Sequence, residues 1–73
     1  MKTTIEISLK MASKAYDAIT DNRNLEERVM NDYPNAWIID EEDEQEHDQL
    51  LIQFVEQLSA FGIPAGEYEI TNE

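Results

Sequence analysis

The chain has 73 residues, no cysteine, and a formal net charge of −12 that comes from 17 acidic and five basic residues. A chain of this length forms one small domain (residues 1–73), because folding removes only about 60% of the surface that the unfolded chain exposes. The lack of cysteine excludes disulfides and thiolate metal sites, and no apolar run approaches the ~20 residues that cross a bilayer. We therefore expect a small acidic domain that is soluble and cytoplasmic and does not bind a membrane.

The charge is distributed unevenly along the chain. All five bases lie within residues 1–28, where five acids balance them, whereas residues 29–73 hold twelve acids and no Lys or Arg. Because phosphate contacts depend on Lys and Arg, this composition argues against direct binding of nucleic acid. It favours a basic protein partner that is reached by electrostatic steering.

Hydrophobic periodicity predicts a strand followed by helical segments in the first half of the chain. Thr3 to Lys10 alternates between apolar and polar residues, which is typical of a half-buried strand. From Met11 to Thr20 the apolar residues change to helical spacing. A second helical piece runs from Leu25 to Tyr33, with Asn24 as its N-cap and Pro34 preventing its continuation. The pattern fits either two helices or one kinked helix.

The second half begins with a strand and continues into the longest predicted helix. Ala36 to Asp40 is β-prone and apolar on both sides, as in a buried strand. Its Trp37 fits either the core or a partly exposed interface anchor. The major helix begins at Asp43, which has the spacing of an acidic capping box with Glu46. Its apolar stripe is interpreted as most of the core and consists of Leu50, Leu51, Phe54, Val55, Leu58 and Phe61.

The end of this helix and the last strand complete the predicted fold. Gly62 suits the left-handed position beyond a helix, and Pro64 prevents continuation. Glu67 to Thr71 alternates as a strand with Tyr68 and Ile70 facing inward. The order β-α-(α)-β-α-β predicts an α+β or α/β two-layer sandwich, with a three-stranded sheet carrying two or three helices on one face. Right-handed crossovers would make neighbouring strands parallel, but the pattern does not give the strand order.

The densest acidic stretch, here called the acidic run, extends from Asp40 to Asp48 and holds seven carboxylates in nine residues. Calcium-loop registers that begin at Asp40 or Asp43 lack the required Gly and bidentate Glu, so we predict no metal site and no cofactor. The helix dipole favours acids only in the first turn, by about 0.3–1 kcal/mol each. If the run were helical throughout, its charges would lie about 1.9 Å apart along the axis, close to the ~1.7 Å of duplex DNA.

The residues that could support catalysis are few. His47 follows Glu44 in a Glu-x-x-His spacing, but di-iron sites need two such motifs and this chain has one His. We interpret His47 as a solvated residue at the edge of the helix, with a pH-responsive role as the alternative. No His–nucleophile pair and no glycine-rich phosphate loop is present, so we predict no catalytic residue and no enzyme activity.

At the level of class, the chain resembles the small acidic inhibitors made by phages and mobile elements, namely the anti-CRISPR and anti-restriction proteins that imitate DNA. The residues that carry the resemblance are also the predicted partner-binding residues: Asp40, Glu41, Glu42, Asp43, Glu44, Glu46, Asp48, Glu56, Glu67 and Glu69. The resemblance implies a non-enzymatic inhibitor that binds a basic nucleic-acid-binding site of a host defence protein, in the bacterial cytoplasm if the chain is phage-encoded. The alternatives are an antitoxin-like or immunity-like adaptor that neutralises one basic partner without mimicry, and a domain whose acidic face is merely solvated. A monomer and a homodimer both fit.

Overall fold

A computed structural model describes residues 1–73 and contains four strands and three α-helices. The strands are β1 (Lys2–Ile7), β2 (Met30–Asp32), β3 (Ala36–Asp40) and β4 (Tyr68–Asn72). The helices are α1 (Ala12–Thr20), α2 (Arg23–Arg28) and α3 (Glu44–Ala60), and short 3₁₀ turns span Leu9–Met11 and Ala65–Glu67. None of the helices is both long enough and apolar enough to cross a membrane.

The four strands form one antiparallel sheet in the order β2-β3-β1-β4. This confirms an α+β fold and corrects the prediction of three strands. Strands joined through helices, β1 with β2 and β3 with β4, are parallel but are separated by an antiparallel strand, so the expectation of parallel neighbours is also wrong. The order of elements and strands is that of the split βαβ, or ferredoxin-like, topology.

The additional strand, β2, lies where the sequence pattern predicted a helix up to Tyr33. α2 ends at Arg28, and Val29 has extended backbone angles (φ −106°, ψ 128°). Met30 to Asp32 then pair with β3, and this pairing overrides the helical spacing of the apolar residues. The predicted N-cap is also displaced, because the side chain of Asn22, not Asn24, accepts a hydrogen bond from the Leu25 amide.

The core lies between the helices and one face of the sheet, and α3 contributes three of its twelve clustered residues, so the prediction that the α3 stripe forms most of the core is wrong. Leu50, Phe54 and Leu58 are buried, which confirms the predicted stripe, whereas Leu51 and Val55 are only half-buried. Trp37 is buried against Phe54, with ring centroids 6.1 Å apart and ring planes 58° apart. The structure therefore assigns Trp37 to the core, the first of its two predicted roles.

The C-terminus of α3 ends as the sequence predicts. Gly62 has φ +77°, the left-handed conformation that only Gly adopts without strain. Its amide donates to the Ser59 carbonyl at 2.9 Å, and the Ile63 amide donates to the Leu58 carbonyl at 2.9 Å. These two bonds define a Schellman motif, and the buried Ile63 packs into the core beyond the helix.

The last strand, β4, begins at Tyr68, so Glu67 precedes it instead of belonging to it. Ile70 lies opposite the buried Ile5, on the side of the sheet that faces the helices. Its side chain is nevertheless 42% exposed. The prediction that Ile70 points inward therefore gave the correct side of the sheet but the wrong degree of burial, because β4 is an edge strand that the helices cover incompletely.

Candidate functional site

The acidic run is bent and is not helical along its length. Asp40 is the last residue of β3, residues 41–43 form a connection, and α3 begins at Glu44. The helical spacing of charges calculated from the sequence therefore does not apply, and the comparison with the charge density of duplex DNA is wrong for this chain. The carboxylates of the run divide into groups with different surroundings.

Two carboxylates of the run are paired with one guanidinium group. Arg28 Nη2 donates to Glu41 Oε1 at 2.7 Å and to Glu46 Oε2 at 2.8 Å. The hydrogen bond to Glu46, followed by the charge of Glu41, raises the pKa of Arg28 above its ordinary value. Arg28 thus joins α2 to the connection before α3 and to the first turn of α3, and its single positive charge offsets one of the two negative charges of Glu41 and Glu46, which were predicted to bind a partner.

Asp43 caps α3. One of its carboxylate oxygens accepts from the backbone amides of Gln45 at 2.8 Å and Glu46 at 3.3 Å. The Glu46 side chain pairs with Arg28, so the reciprocal half of the predicted capping box is replaced by an ion pair. The position of Asp43 at the start of the helix is therefore explained by capping, with no need for a binding partner.

His47 is buried, which corrects its interpretation as a solvated residue. Its side chain bridges two others: Nε2 lies 2.7 Å from Thr3 Oγ1, and Nδ1 lies 3.0 Å from Asp48 Oδ1. The Thr3 hydroxyl donates onward to Asn72 Oδ1 at 2.8 Å. Thr3 is buried as well, so this chain of hydrogen bonds joins β1, α3 and β4 inside the domain.

Glu67 lies beside the start of β4 and is paired locally. Oε2 accepts from the Ser8 hydroxyl at 2.6 Å, and Oε1 lies 3.3 Å from Lys10 Nζ. The Ser8 hydrogen bond, with a smaller effect from Lys10, lowers the pKa of Glu67. A lowered carboxyl pKa stabilises the fold above the unfolded-state value, and this stabilisation is lost as the pH falls through the folded-state value.

The sheet face opposite the helices carries a group of carboxylates. Strand register places Glu6 directly opposite Glu69, and Asp40 opposite Lys2. Asp32 lies on the same face beside Ala36. Asp40 and Glu69 are among the predicted binding residues, whereas Glu6 and Asp32 are not. The alternation of β1 already placed Glu6 outward, whereas Asp32 had no such signal because its strand was assigned to a helix.

A second group of carboxylates follows the outer face of α3. Glu44, Asp48 and Glu56 are exposed and are separated by multiples of four residues, so they form a row that winds slowly around the exposed side of the helix. Exposed Glu42 precedes them. Exposed Ile52 lies in the same row, between Asp48 and Glu56. The structure thus collects four of the ten predicted residues along α3 and places Asp40 and Glu69 on the opposite face of the sheet.

Most of the basic side chains are already in ion pairs within the chain. Four of the five bases lie within 4.0 Å of a carboxylate, in the pairs Lys2–Glu73, Lys10–Glu67, Arg23–Glu27 and Arg28 with Glu41 and Glu46. The carboxylates along α3 at Glu42, Glu44 and Glu56 have no basic partner. The molecule therefore presents an acidic surface with little internal compensation. No three of its acidic or His side chains converge in an arrangement that could hold a metal ion.

An exposed apolar groove lies away from the carboxylates of α3. It has a volume of about 690 Å³ and is formed in part by Leu9, Tyr16, Tyr33 and Pro34. The Tyr33 side chain is 85% exposed. The sequence pattern does not reveal this surface, because it places Leu9 on the inner side of the first strand and Tyr33 in a helix.

Comparison with known proteins provides no relative from which a function could be transferred. No family model matches the chain, and neither a curated protein nor a solved structure matches it significantly. The ferredoxin-like strand order is itself shared by proteins of many functions, so it does not indicate one. The features of this chain that bear on function are therefore the exposed carboxylates and apolar residues of its surface.

Proposed function

We propose that this chain is a non-enzymatic inhibitor that binds the basic nucleic-acid-binding site of a host defence protein, such as a CRISPR effector or a nuclease. The supporting observation is the uncompensated acidic surface along α3, where Glu42, Glu44 and Glu56 are exposed and have no basic partner. Such a surface attracts the Lys and Arg side chains that otherwise contact phosphates. The bound inhibitor would then block access of nucleic acid, in the cytoplasm of a bacterial host if the chain is phage-encoded.

The mode of inhibition that fits this geometry is occlusion. A linear array with the spacing of DNA phosphates is not available, because the acidic run bends between β3 and α3. The row of acids on α3 and the acids of the open sheet face instead lie on opposite sides of the molecule. One of these sides would cover the basic site, while the bulk of the domain excludes nucleic acid from it.

The bend also favours a second candidate function, an antitoxin-like or immunity-like adaptor that neutralises one basic protein without resembling nucleic acid. Such an adaptor needs only complementary charge and a suitable shape. The two candidates differ in one respect: an occluding inhibitor competes with nucleic acid for its target, whereas an adaptor leaves the target's nucleic-acid binding unchanged.

The test measures cleavage of duplex DNA by a panel of CRISPR effectors and restriction endonucleases in the presence of the purified chain. For any enzyme that is inhibited, DNA binding is then measured by gel shift. The variant E42Q/E44Q/E56Q removes the carboxylates without a basic partner on α3 and in the connection that precedes it. The matched control D17N/D21N/E26Q removes the same number of charges from α1 and its surroundings, where the acids also lie exposed.

We expect the wild type and the control to displace DNA, and the α3 variant to need about tenfold more protein for the same effect, which corresponds to about 1.4 kcal/mol. Equal losses in both variants would mean that only net charge matters. Binding to the inhibited enzyme without displacement of DNA would rule out occlusion and support the adaptor.

A further inference from the structure

β4 leaves one side of its backbone unpaired. At the two ends of its ladder with β1, the Ser8 amide donates to the Glu67 carbonyl at 2.8 Å, and the Glu73 amide donates to the Lys2 carbonyl at 2.9 Å. Backbone groups of an antiparallel strand point alternately to its two sides. The amides and carbonyls of Glu69 and Thr71 therefore point to β1, and those of Tyr68, Ile70 and Asn72 point to solvent.

The side of this edge that faces the helices is apolar. His47 contacts Thr3, which lies opposite Asn72. α3 runs alongside β1, and one helical turn advances about as far as two strand residues. Leu51 is thus level with the Ile5–Ile70 pair, and Val55 is level with Tyr68. The resulting strip of partly exposed apolar side chains, here called the β4 strip, consists of Leu51, Val55, Tyr68 and Ile70.

Carboxylates border the β4 strip on both sides. On α3, Asp48 lies one turn before Leu51, and on β4, Glu69 projects from the opposite face of the sheet. A second copy of the chain would bring the same carboxylates and a further formal charge of −12 to this edge. Charge complementarity therefore favours an occupant with Lys or Arg side chains.

We propose that β4 accepts an extended basic segment of a partner protein as a fifth strand, in which apolar side chains facing the β4 strip alternate with Lys or Arg. Main-chain hydrogen bonds to Tyr68, Ile70 and Asn72 provide the pairing, and the β4 strip and its bordering acids select the sequence. The proposal depends on the proposed function only for the basic character of the partner.

The test uses two synthetic peptides of roughly eight residues, a typical strand length. In one, Val alternates with Lys; in the other, the same residues form a Lys block and a Val block. We expect the alternating peptide to bind about tenfold more tightly, and amide hydrogen exchange at Ile70 and Asn72 to slow when it binds. Equal affinities, or no protection of these amides, would overturn the proposal.

The variants Ile70→Pro and Ile70→Ala distinguish the contribution of the Ile70 backbone amide to peptide affinity from that of its side chain. Both remove the isoleucine side chain, but only Pro removes the solvent-facing amide, and it does so without taking a hydrogen bond from the ladder with β1. We expect Ile70→Pro to lower affinity for the alternating peptide by about a further tenfold relative to Ile70→Ala. Equal affinities would overturn strand addition, and the exchange measurement on the wild type decides the question if Ile70→Pro does not fold.

Two further outcomes separate this proposal from others. Protection of the Ile70 amide that rises with protein concentration, without peptide, would identify a second copy as the occupant and overturn the basic segment. Failure of peptide binding together with inhibition of a nuclease by the wild type would overturn strand addition alone and leave the proposed function standing.

Discussion

Single side chains join elements that are far apart in this sequence. His47 bridges the Thr3 hydroxyl and the Asp48 carboxylate, and Thr3 also donates to Asn72, so one chain of hydrogen bonds connects β1, α3 and β4. Arg28 connects α2 to the acidic run in a similar way. These contacts determine which polar residues remain exposed at the surface and which stabilise the domain.

The hydrogen bonds of Thr3 give a prediction about stability. Thr3→Val keeps the shape of the side chain but leaves His47 Nε2 without its partner inside the domain. An unsatisfied buried polar group costs about 1–3 kcal/mol, so the free energy of unfolding in urea should fall by that amount.

The neighbouring Thr4 supplies the control for this measurement. It lies on the open face of the same strand, where Thr4→Val should change the free energy of unfolding by no more than about 0.5 kcal/mol. If the two substitutions had equal effects, the hydroxyl of Thr3 would contribute nothing through its hydrogen bonds.

The position of His47 shows what the sequence could not provide at this scale. Its acidic neighbours in sequence suggested a solvated edge, but its burial depends on Thr3, which lies 44 residues away. The pairing of Arg28 with Glu41 and Glu46, across 13 and 18 residues, was equally inaccessible. A list of acidic residues therefore did not reveal which carboxylates are free.

At the scale of elements, the sequence predicted a helix or strand correctly where its limits depend on neighbouring residues alone. The start of α3 at the Asp43 cap, its buried stripe and its end at Gly62 follow from spacing, capping and backbone preference. β2 was missed, because Met30 to Asp32 become a strand only by pairing with β3. The alternation of apolar and polar residues in β4 predicted which of its side chains face the helices. Their incomplete burial depends on where the layer of helices ends, which the sequence does not show.

The end of α3 can be tested with a pair of glycine substitutions. Gly62→Ala forces a residue with a Cβ into the left-handed conformation at φ +77°, which should cost about 1–2 kcal/mol of unfolding free energy. Gly66→Ala is the matched control. Its added Cβ would meet nothing within 4 Å, so thermal unfolding should change little. Equal destabilisation by both would show that the Schellman motif is not important for stability.

At the scale of the whole molecule, the excess of negative charge acts on stability and on binding in opposite directions. The longest dimension of the domain is 32 Å, comparable to the Debye length of about 30 Å at 0.01 M salt. Nearly all carboxylates therefore repel one another at low salt. A basic partner would relieve this repulsion, and salt would do the same without a partner.

We therefore predict that the melting temperature of the free chain rises between 0.01 M and 0.1 M NaCl, where the Debye length falls to about 10 Å. Affinity for a basic partner should fall over the same range. Calorimetry of the wild type and of E42Q/E44Q/E56Q checks the first expectation, and the variant should show the smaller rise. A melting temperature that falls with salt would mean that the internal ion pairs outweigh the repulsion.

The central position of β1 has a consequence for how the domain is made. As the chain leaves the ribosome, β1 emerges first, yet both of its neighbours in the sheet lie downstream, and the bond from Thr3 to Asn72 spans 69 residues. Such long-range pairing slows folding, because a large loop must close before the contacts form. During synthesis one edge of β1 stays without its final partner until β4 is available. The sheet that holds the carboxylates of its open face in place is therefore complete only after β4 has been synthesised.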